Sequence, residues 1–308
     1  MKANITNILK YHDYEIVKYL DHGSYGSCYL INSLKYDMNF VCKVSRTTDL
    51  PQEYLASFYG EAEILSKLNH PNIVRIYDYF IEQDISFIIL EYCSNGSLLD
   101  LVKSQKRITQ EKINKYTLQI IDALSFMHSK GIAHCDIKLS NILIDQYDRA
   151  KLCDFGLSHF ITNAGNKNND NKIRGTLNYM APEVIIGKEF CPFKSDVWSF
   201  GVTLYILLTG TFPFISRDPI TILRDIKNGY INIFPRYGPL ARIADQCLNL
   251  DPIERPTMAQ IKFKMYQLCG DSLEFKTRSS SRILTSVARQ QIVVHHPRIT
   301  RLSASAVY

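Results

Sequence analysis

The segment His134-Cys135-Asp136-Ile137-Lys138-Leu139-Ser140-Asn141 sets a carboxylate, an ammonium and a carboxamide close together in the chain. Asp136 can accept the proton of an incoming hydroxyl. Asn141, five residues on, offers an amide oxygen of the kind magnesium, a hard cation, prefers, and Lys138 can steady a transferring phosphate. Thirteen residues beyond Asn141, Asp154-Phe155-Gly156 adds a second metal-binding carboxylate at a glycine turn. Upstream lies Leu20-Asp21-His22-Gly23-Ser24-Tyr25-Gly26-Ser27-Cys28, whose glycines let backbone pass close to phosphates and present amide donors. Lys43 and Glu61, if paired, would clamp those phosphates. Together these residues offer phosphoryl transfer: a held nucleotide, neutralised charge and an acceptor hydroxyl aimed in line. Each signal has a plain reading when taken alone. Two glycines in a hairpin are usually a turn, and an isolated lysine or glutamate is usually solvated.

The elements that must position these groups change character along the chain. Tyr14–Leu20, Cys28–Asn32, Phe40–Val44, Val74–Phe80 and Ile85–Glu91 are short β-branched and aromatic runs bounded by turn residues, and read as strands. Between the third and fourth, Leu55, Phe58, Ile64, Leu65 and Leu68 give residues 52–68 one apolar helical stripe. Five strands and one helix make a small lobe. After Ser94-Asn95-Gly96, read as a hinge, helical periodicity takes over. Ile113, Tyr116, Ile120, Leu124 and Met127 predict a long helix capped by Thr109. Residues 195–208, 219–228, 239–248 and 257–268 read as further helices, the first apolar nearly all round and therefore buried. The catalytic loop thus follows a long helix, and the glycine-rich loop joins two strands.

In this order and spacing, together with Gly175-Thr176, Tyr179 and Ala181-Pro182-Glu183, the series resembles the protein-kinase signature set over roughly residues 14–268. The resemblance implies an α+β, bilobal protein-kinase fold, with a β-rich N-lobe (about 14–91) and a larger, mainly helical C-lobe (about 97–268). It implies ATP and Mg2+ as cofactors and protein substrates with Ser/Thr acceptors. Within the family the chain is set nearest the calmodulin-dependent-kinase-like group. By the same resemblance Asp136 is the catalytic base, Asn141 and Asp154 are the metal ligands, and Lys43 contacts the α and β phosphates while pairing with Glu61. Leu90 falls at the gatekeeper position. Glu91-Tyr92-Cys93 falls at the hinge that reads adenine through its backbone, and Val41, Cys28 and Leu143 sandwich the ring. Leu65, Ile76, His134 and Phe155 match the stacked residues of the active state. Glu183 with Arg255 matches a structural ion pair, and Asp196 with Trp198 the central-helix motif. Lys138 and Thr176 are of the serine/threonine type.

Three departures carry expectations of their own. Asp21 replaces the first glycine of the loop, and its carboxylate is expected to point to solvent, leaving Gly23 and Gly26 for the closest approach. Cys135 replaces the arginine that usually precedes the base and binds a phosphate on the activation segment. Residues 163–174 contain no Ser, Thr or Tyr. Activity is therefore expected not to require phosphorylation of that segment. Ser97 and Ser140 stand where arginine-directed kinases often carry acids, so a strong preference for upstream arginine is not expected.

Composition bounds the rest. The net charge of +6 is uneven: residues 271–308 carry six Lys/Arg and two acids, leaving +2 for the other 270 residues. So weak a charge gives no support for nucleic acid as a partner. The eight cysteines show no C-x-x-C pair and read as reduced thiols. Residues 1–10 are polar, without the apolar stretch of a signal peptide, and no apolar run is long enough for a membrane span. A cytoplasmic location, or a nuclear one, is the expectation. Residues 271–308 read as a flexible basic tail, inert or else autophosphorylated or autoinhibitory; the regulator is not legible. The competing function is a pseudokinase, a nucleotide-binding scaffold without catalysis. Such proteins commonly lose the equivalents of Lys43, Asp136 or Asp154, and all three are present.

Overall fold

The computed structural model describes residues 2–23, 26–47, 52–104, 108–160, 176–187, 189–214, 218–227 and 238–267. The expectations for the 163–174 stretch and for the 271–308 tail lie outside these residues.

The N-lobe is built on β1 (Tyr14–Gly23), β2 (Gly26–Ser33), β3 (Met38–Arg46), β4 (Ile76–Glu82) and β5 (Ile85–Glu91), all antiparallel in the order β1-β2-β3-β5-β4. The β4–β5 hairpin turns on Gln83 and Asp84, both at positive φ, the twist that suits a two-residue loop between right-twisted strands. β4 starts two residues later than the run from Val74 suggested. Val74 gives its amide to the carbonyl of Leu152 in the C-lobe (2.8 Å), so this backbone pairs across the lobes before it joins the sheet. The expected helix is α2 (Gln52–Lys67). It is not the lobe's only helix.

Ahead of the sheet lies α1 (Lys2–Tyr11). Its polar composition hides three apolar residues, Ile5, Ile8 and Leu9, spaced to fall on one helix face. All three are buried in a cluster with Tyr29, Ile31, Phe40, Cys42, Val44, Ile85, Phe87 and Ile89 of the sheet. His12 continues the contact by stacking on Phe80 (3.9 Å between ring centroids) and meeting Glu82 at 3.0 Å. Phe80 in turn stacks on Phe87.

In the C-lobe come α3 (Leu98–Ser104), α4 (Gln110–Ser129), β6 (Ile132–Ala133), β7 (Ile142–Ile144), β8 (Ala150–Leu152) and β9 (His159–Phe160). These are followed by α5 (Pro182–Ile186), α6 (Pro192–Thr209), α7 (Pro219–Lys227), α8 (Pro239–Cys247) and α9 (258–267). Thr109 caps α4 as its type predicts, its side chain accepting from the amide of Lys112. α6 is the centre of the lobe, buried without interruption from Asp196 to Leu207. At Gly201 a Cβ would stand 2.7 Å from that of Cys247, so α6 and α8 approach closely only because this position has no side chain. No described helix is long and apolar enough to cross a membrane.

Candidate active site

The loop from His134 to Asn141 is held from below. Asp196, 1% exposed near the start of α6, accepts from the amides of His134 and Cys135 (2.8 Å each) and meets His128 Nε2 at 2.9 Å. Burial alone would raise this carboxyl, but the His128 contact and the backbone donors outweigh it and hold it below its usual range. Cys135 sits at φ 65°, where the chain reverses so that its amide and that of His134 both reach Asp196.

On this base Asp136 is 8% exposed and held by several donors. Its Oδ2 accepts from Lys138 Nζ at 2.6 Å and from Asn141 Nδ2 at 2.9 Å. Its Oδ1 has the looser contact, 3.3 Å to Thr176 Oγ1, and Lys138 also donates to Thr176 at 2.9 Å. Lys138 and Thr176 are thus joined through the carboxylate they serve.

A second cluster closes across the lobes. Lys43 Nζ, from β3, lies 3.0 Å from both oxygens of Glu61 on α2 and 3.3 Å from Asp154 Oδ1. Burial works against the Lys43 charge, but the Glu61 and Asp154 carboxylates prevail and hold the ammonium above its usual range. Burial likewise opposes the Asp154 anion, and Lys43 and His134 reverse that effect and lower it. Asp154 sits at φ 61°, which brings its carboxylate toward Lys43, and Phe155 is buried against the His134 ring at 5.0 Å. Leu65 is buried and Ile76 half-buried.

Of the residues expected around the nucleotide, Leu20, Cys28, Val41, Leu90, Glu91 and Leu143 are half-buried and Cys93 is buried. Val41 is opposite Leu30 on one side and Leu90 on the other, while Cys28 is opposite Lys43. Burial pushes the thiols of Cys28 and Cys153 up, and that of Cys93 to about 12, so all three remain protonated small side chains at neutral pH. Asp21 is exposed, opposite Cys28 and beside a bulge in β1. His22, Gly23, Gly26 and Ser27 continue the β1–β2 ladder, and Ser24 and Tyr25 lie outside the described residues. Gly26 has a packing role of its own within the sheet. A Cβ there would stand 2.1 Å from the Val44 carbonyl oxygen, so the absent side chain serves the contact between β2 and β3.

Glu183 and Arg255 form a two-pronged pair (2.6 and 2.8 Å), with Arg255 fully buried and its guanidinium over the Trp198 ring at 4.9 Å. Sequence reasoning passed over two contributors, His128 and Lys151. Neither stands in a spacing pattern, and each declares itself only through a partner more than fifty residues away.

The residues fit a magnesium-nucleotide pair. Asn141 spends its amide nitrogen on Asp136, which leaves its oxygen as a ligand, and the Asp154 carboxylate is 43% exposed. Magnesium commonly takes one or two protein oxygens and completes its shell with water and substrate phosphates, and two such donors are present.

Comparison with known proteins gives a consistent outcome. The protein kinase domain family matches residues 14–267. The cell cycle serine/threonine-protein kinase CDC5/MSD2 of Saccharomyces cerevisiae is 36% identical over 254 residues, covering 81% of this chain and 36% of the yeast protein. CBL-interacting protein kinase 1 of Oryza sativa is 32% identical over 81% of this chain and 54% of its own length. NUAK family SNF1-like kinase 2 of Rattus norvegicus is 31% identical, again over 81% of this chain, and 39% of its own length. The chain therefore spans between about a third and just over half of these curated relatives.

Proposed function

The chain belongs to the protein kinase family, and we propose that it transfers the terminal phosphate of ATP to serine and threonine hydroxyls of protein substrates. The observation that carries this reading is the division of labour at Asp136. One oxygen is saturated by Lys138 and Asn141, while the other, among the described residues, has the longer 3.3 Å contact to Thr176. Oδ1 is then the oxygen that takes the acceptor's proton as the hydroxyl oxygen bonds to phosphorus and the bond to the bridging oxygen breaks, releasing ADP. Lys138 and Thr176 keep the carboxylate oriented through that transfer. Lys43, itself held by Glu61, fixes the nucleotide phosphates. When bound, Mg2+ at Asn141 and Asp154 supplies neutralising charge on the phosphate oxygens. Serine/threonine specificity is supported by the Lys138–Thr176 contact and by the names of the relatives.

A nucleotide-binding scaffold would keep the Lys43–Glu61–Asp154 cluster, and it is disfavoured instead by the donors that orient Asp136, since a protein that only binds nucleotide has no use for a poised proton acceptor. The test is incorporation of labelled phosphate from ATP and magnesium into a mixed Ser/Thr/Tyr peptide library, beside an Asp136→Asn control. Incorporation into Ser or Thr that is lost in the control supports the proposal. Nucleotide binding without incorporation would replace it with the scaffold.

A further inference from the structure

The crossing from N-lobe to C-lobe stands on the β7–β8 hairpin at both ends, by different means. At its far end the attachment is backbone: the Asn95 amide donates to the Ile144 carbonyl (3.0 Å), the Ile144 amide donates to that of Gly96 (2.8 Å), and Ser97 bridges Leu143. At its near end an ion pair joins Glu91 to the hairpin, alongside the backbone pairing of Leu152 with Asn72 and Val74 (2.8 Å each). Lys151 Nζ reaches both carboxylate oxygens of Glu91 at 2.9 Å. The lysine side chain is 6% exposed and that of Glu91 20%. The same carboxylate accepts from the Arg75 amide at 3.2 Å, and the Glu91 amide donates to the Arg75 carbonyl at 2.9 Å.

Lys151 is directly opposite Leu143 in the hairpin, so both side chains leave the same face of that ribbon. In the proposed nucleotide site Leu143 would form the floor, and Glu91, which ends β5, the back edge. We propose that Lys151 is a positioning residue for the adenine end of the nucleotide, setting the distance between that floor and the backbone of Glu91 to Cys93. This rests on the reading of the cleft as a nucleotide site. A buried ammonium with its carboxylate braces the gap in a way that a neutral side chain of similar length does not. Loss of the brace leaves that spacing to the backbone contacts of Leu152 with Asn72 and Val74 and of Arg75 with Glu91, and the nucleotide must then hold the looser edge at the expense of its own affinity.

The test measures affinity for ATP and for adenosine, together with KM for ATP and kcat, in the full chain and in Lys151→Met, Lys151→Arg and Glu91→Gln. Lys151→Met and Glu91→Gln should each weaken ATP and adenosine alike, by roughly tenfold, the scale of one lost charge-assisted contact, with a smaller change in kcat. Lys151→Arg, which keeps the charge, should stay close to the parent. Since Glu91→Gln changes no volume, it reads the contact even where Lys151→Met folds poorly. Parent-like affinity in both neutral variants, with or without a drop in Tm, overturns the proposal and leaves Lys151 a purely structural residue. Binding of neither ATP nor adenosine by the parent would remove the nucleotide reading itself, and the proposal with it.

Discussion

The N-terminal helix lies ahead of residue 14, where the family match begins, yet its apolar face is part of the N-lobe core. Leu9 is the decisive position: it is 0% exposed and shares its cluster with Cys42, Phe87 and Ile89, also at 0%. Leu9→Ala removes the outer carbons of that side chain and leaves a cavity among strands that cannot collapse without breaking the β3–β5 ladder. Leu→Ala substitutions in such sites cost about 2–5 kcal/mol. The rigid sheet around Leu9 places it near the middle of that range, about 3 kcal/mol. For a domain of this size each kcal/mol shifts Tm by roughly 2–4 °C, so a fall of about 6–12 °C is expected. Thermal and guanidinium unfolding of the full chain would measure it. Asn7→Ala, on the exposed face of the same helix, serves as the control and should stay within about 0.5 kcal/mol of the parent. A loss below about 1 kcal/mol for Leu9→Ala would show that the helix is not docked on the sheet in solution, and the reasoning would fail.

Asp196→Asn replaces one acceptor oxygen with an NH2 group that faces existing N–H donors, so roughly 2–3 kcal/mol of stability should be lost, visible in urea unfolding. Because the Asp196 carboxyl is lowered from its ordinary 3.8, its stabilising contribution is complete above that pH and is lost as pH falls through the still lower folded value. Acid unfolding followed in parent and Asp196→Asn should therefore differ least at the acidic extreme. Gly26→Ala forces a Cβ against the Val44 carbonyl, in a backbone conformation at φ 152°, and should cost about 1–3 kcal/mol while weakening ATP binding; parent-like Tm and affinity would contradict the packing role given to this glycine. Phosphatase treatment should leave peptide phosphorylation unchanged, since Cys135 cannot bind a phosphate and residues 163–174 offer none of the usual acceptors. A large loss traced to residues 157–176 would refute this.

The catalytic groups were legible in the sequence because phosphoryl transfer demands particular residue types at short separations. Asp136, Lys138 and Asn141 lie within one loop, and Asp154 follows after one hairpin. The five N-lobe strands and the longer helices were legible from their apolar patterns, and α6 announced itself by being apolar all round, whereas the short strands β6 to β9 beside the catalytic groups were not. Boundaries moved where another segment of chain competed for the backbone, as when Leu152 claimed the amide of Val74 before β4 could begin. α1 escaped notice because three apolar residues in a short polar stretch become a pattern only once a sheet is known to lie beneath them.

Beyond the Lys43–Glu61 and Glu183–Arg255 pairs that the family resemblance implied, the sequence did not show how the chemical groups are held in place. Asp196 acts on His134 and Cys135 from sixty residues away, and Lys151 acts on Glu91 from a similar distance. Each such pair needs only one charge at each end, and a lone charge in a sequence resembles the many that are solvated. Burial separates the two kinds. An exposed lysine contributes little wherever its partner sits, whereas one at 6% exposure must either find a carboxylate or carry a large desolvation cost. The loop that performs the chemistry and the buried charges that fix its geometry therefore obey different constraints. The first is set by the reacting atoms and recurs as a motif. The second is set by whichever distant segment the fold brings alongside, and becomes visible only when the chain is folded.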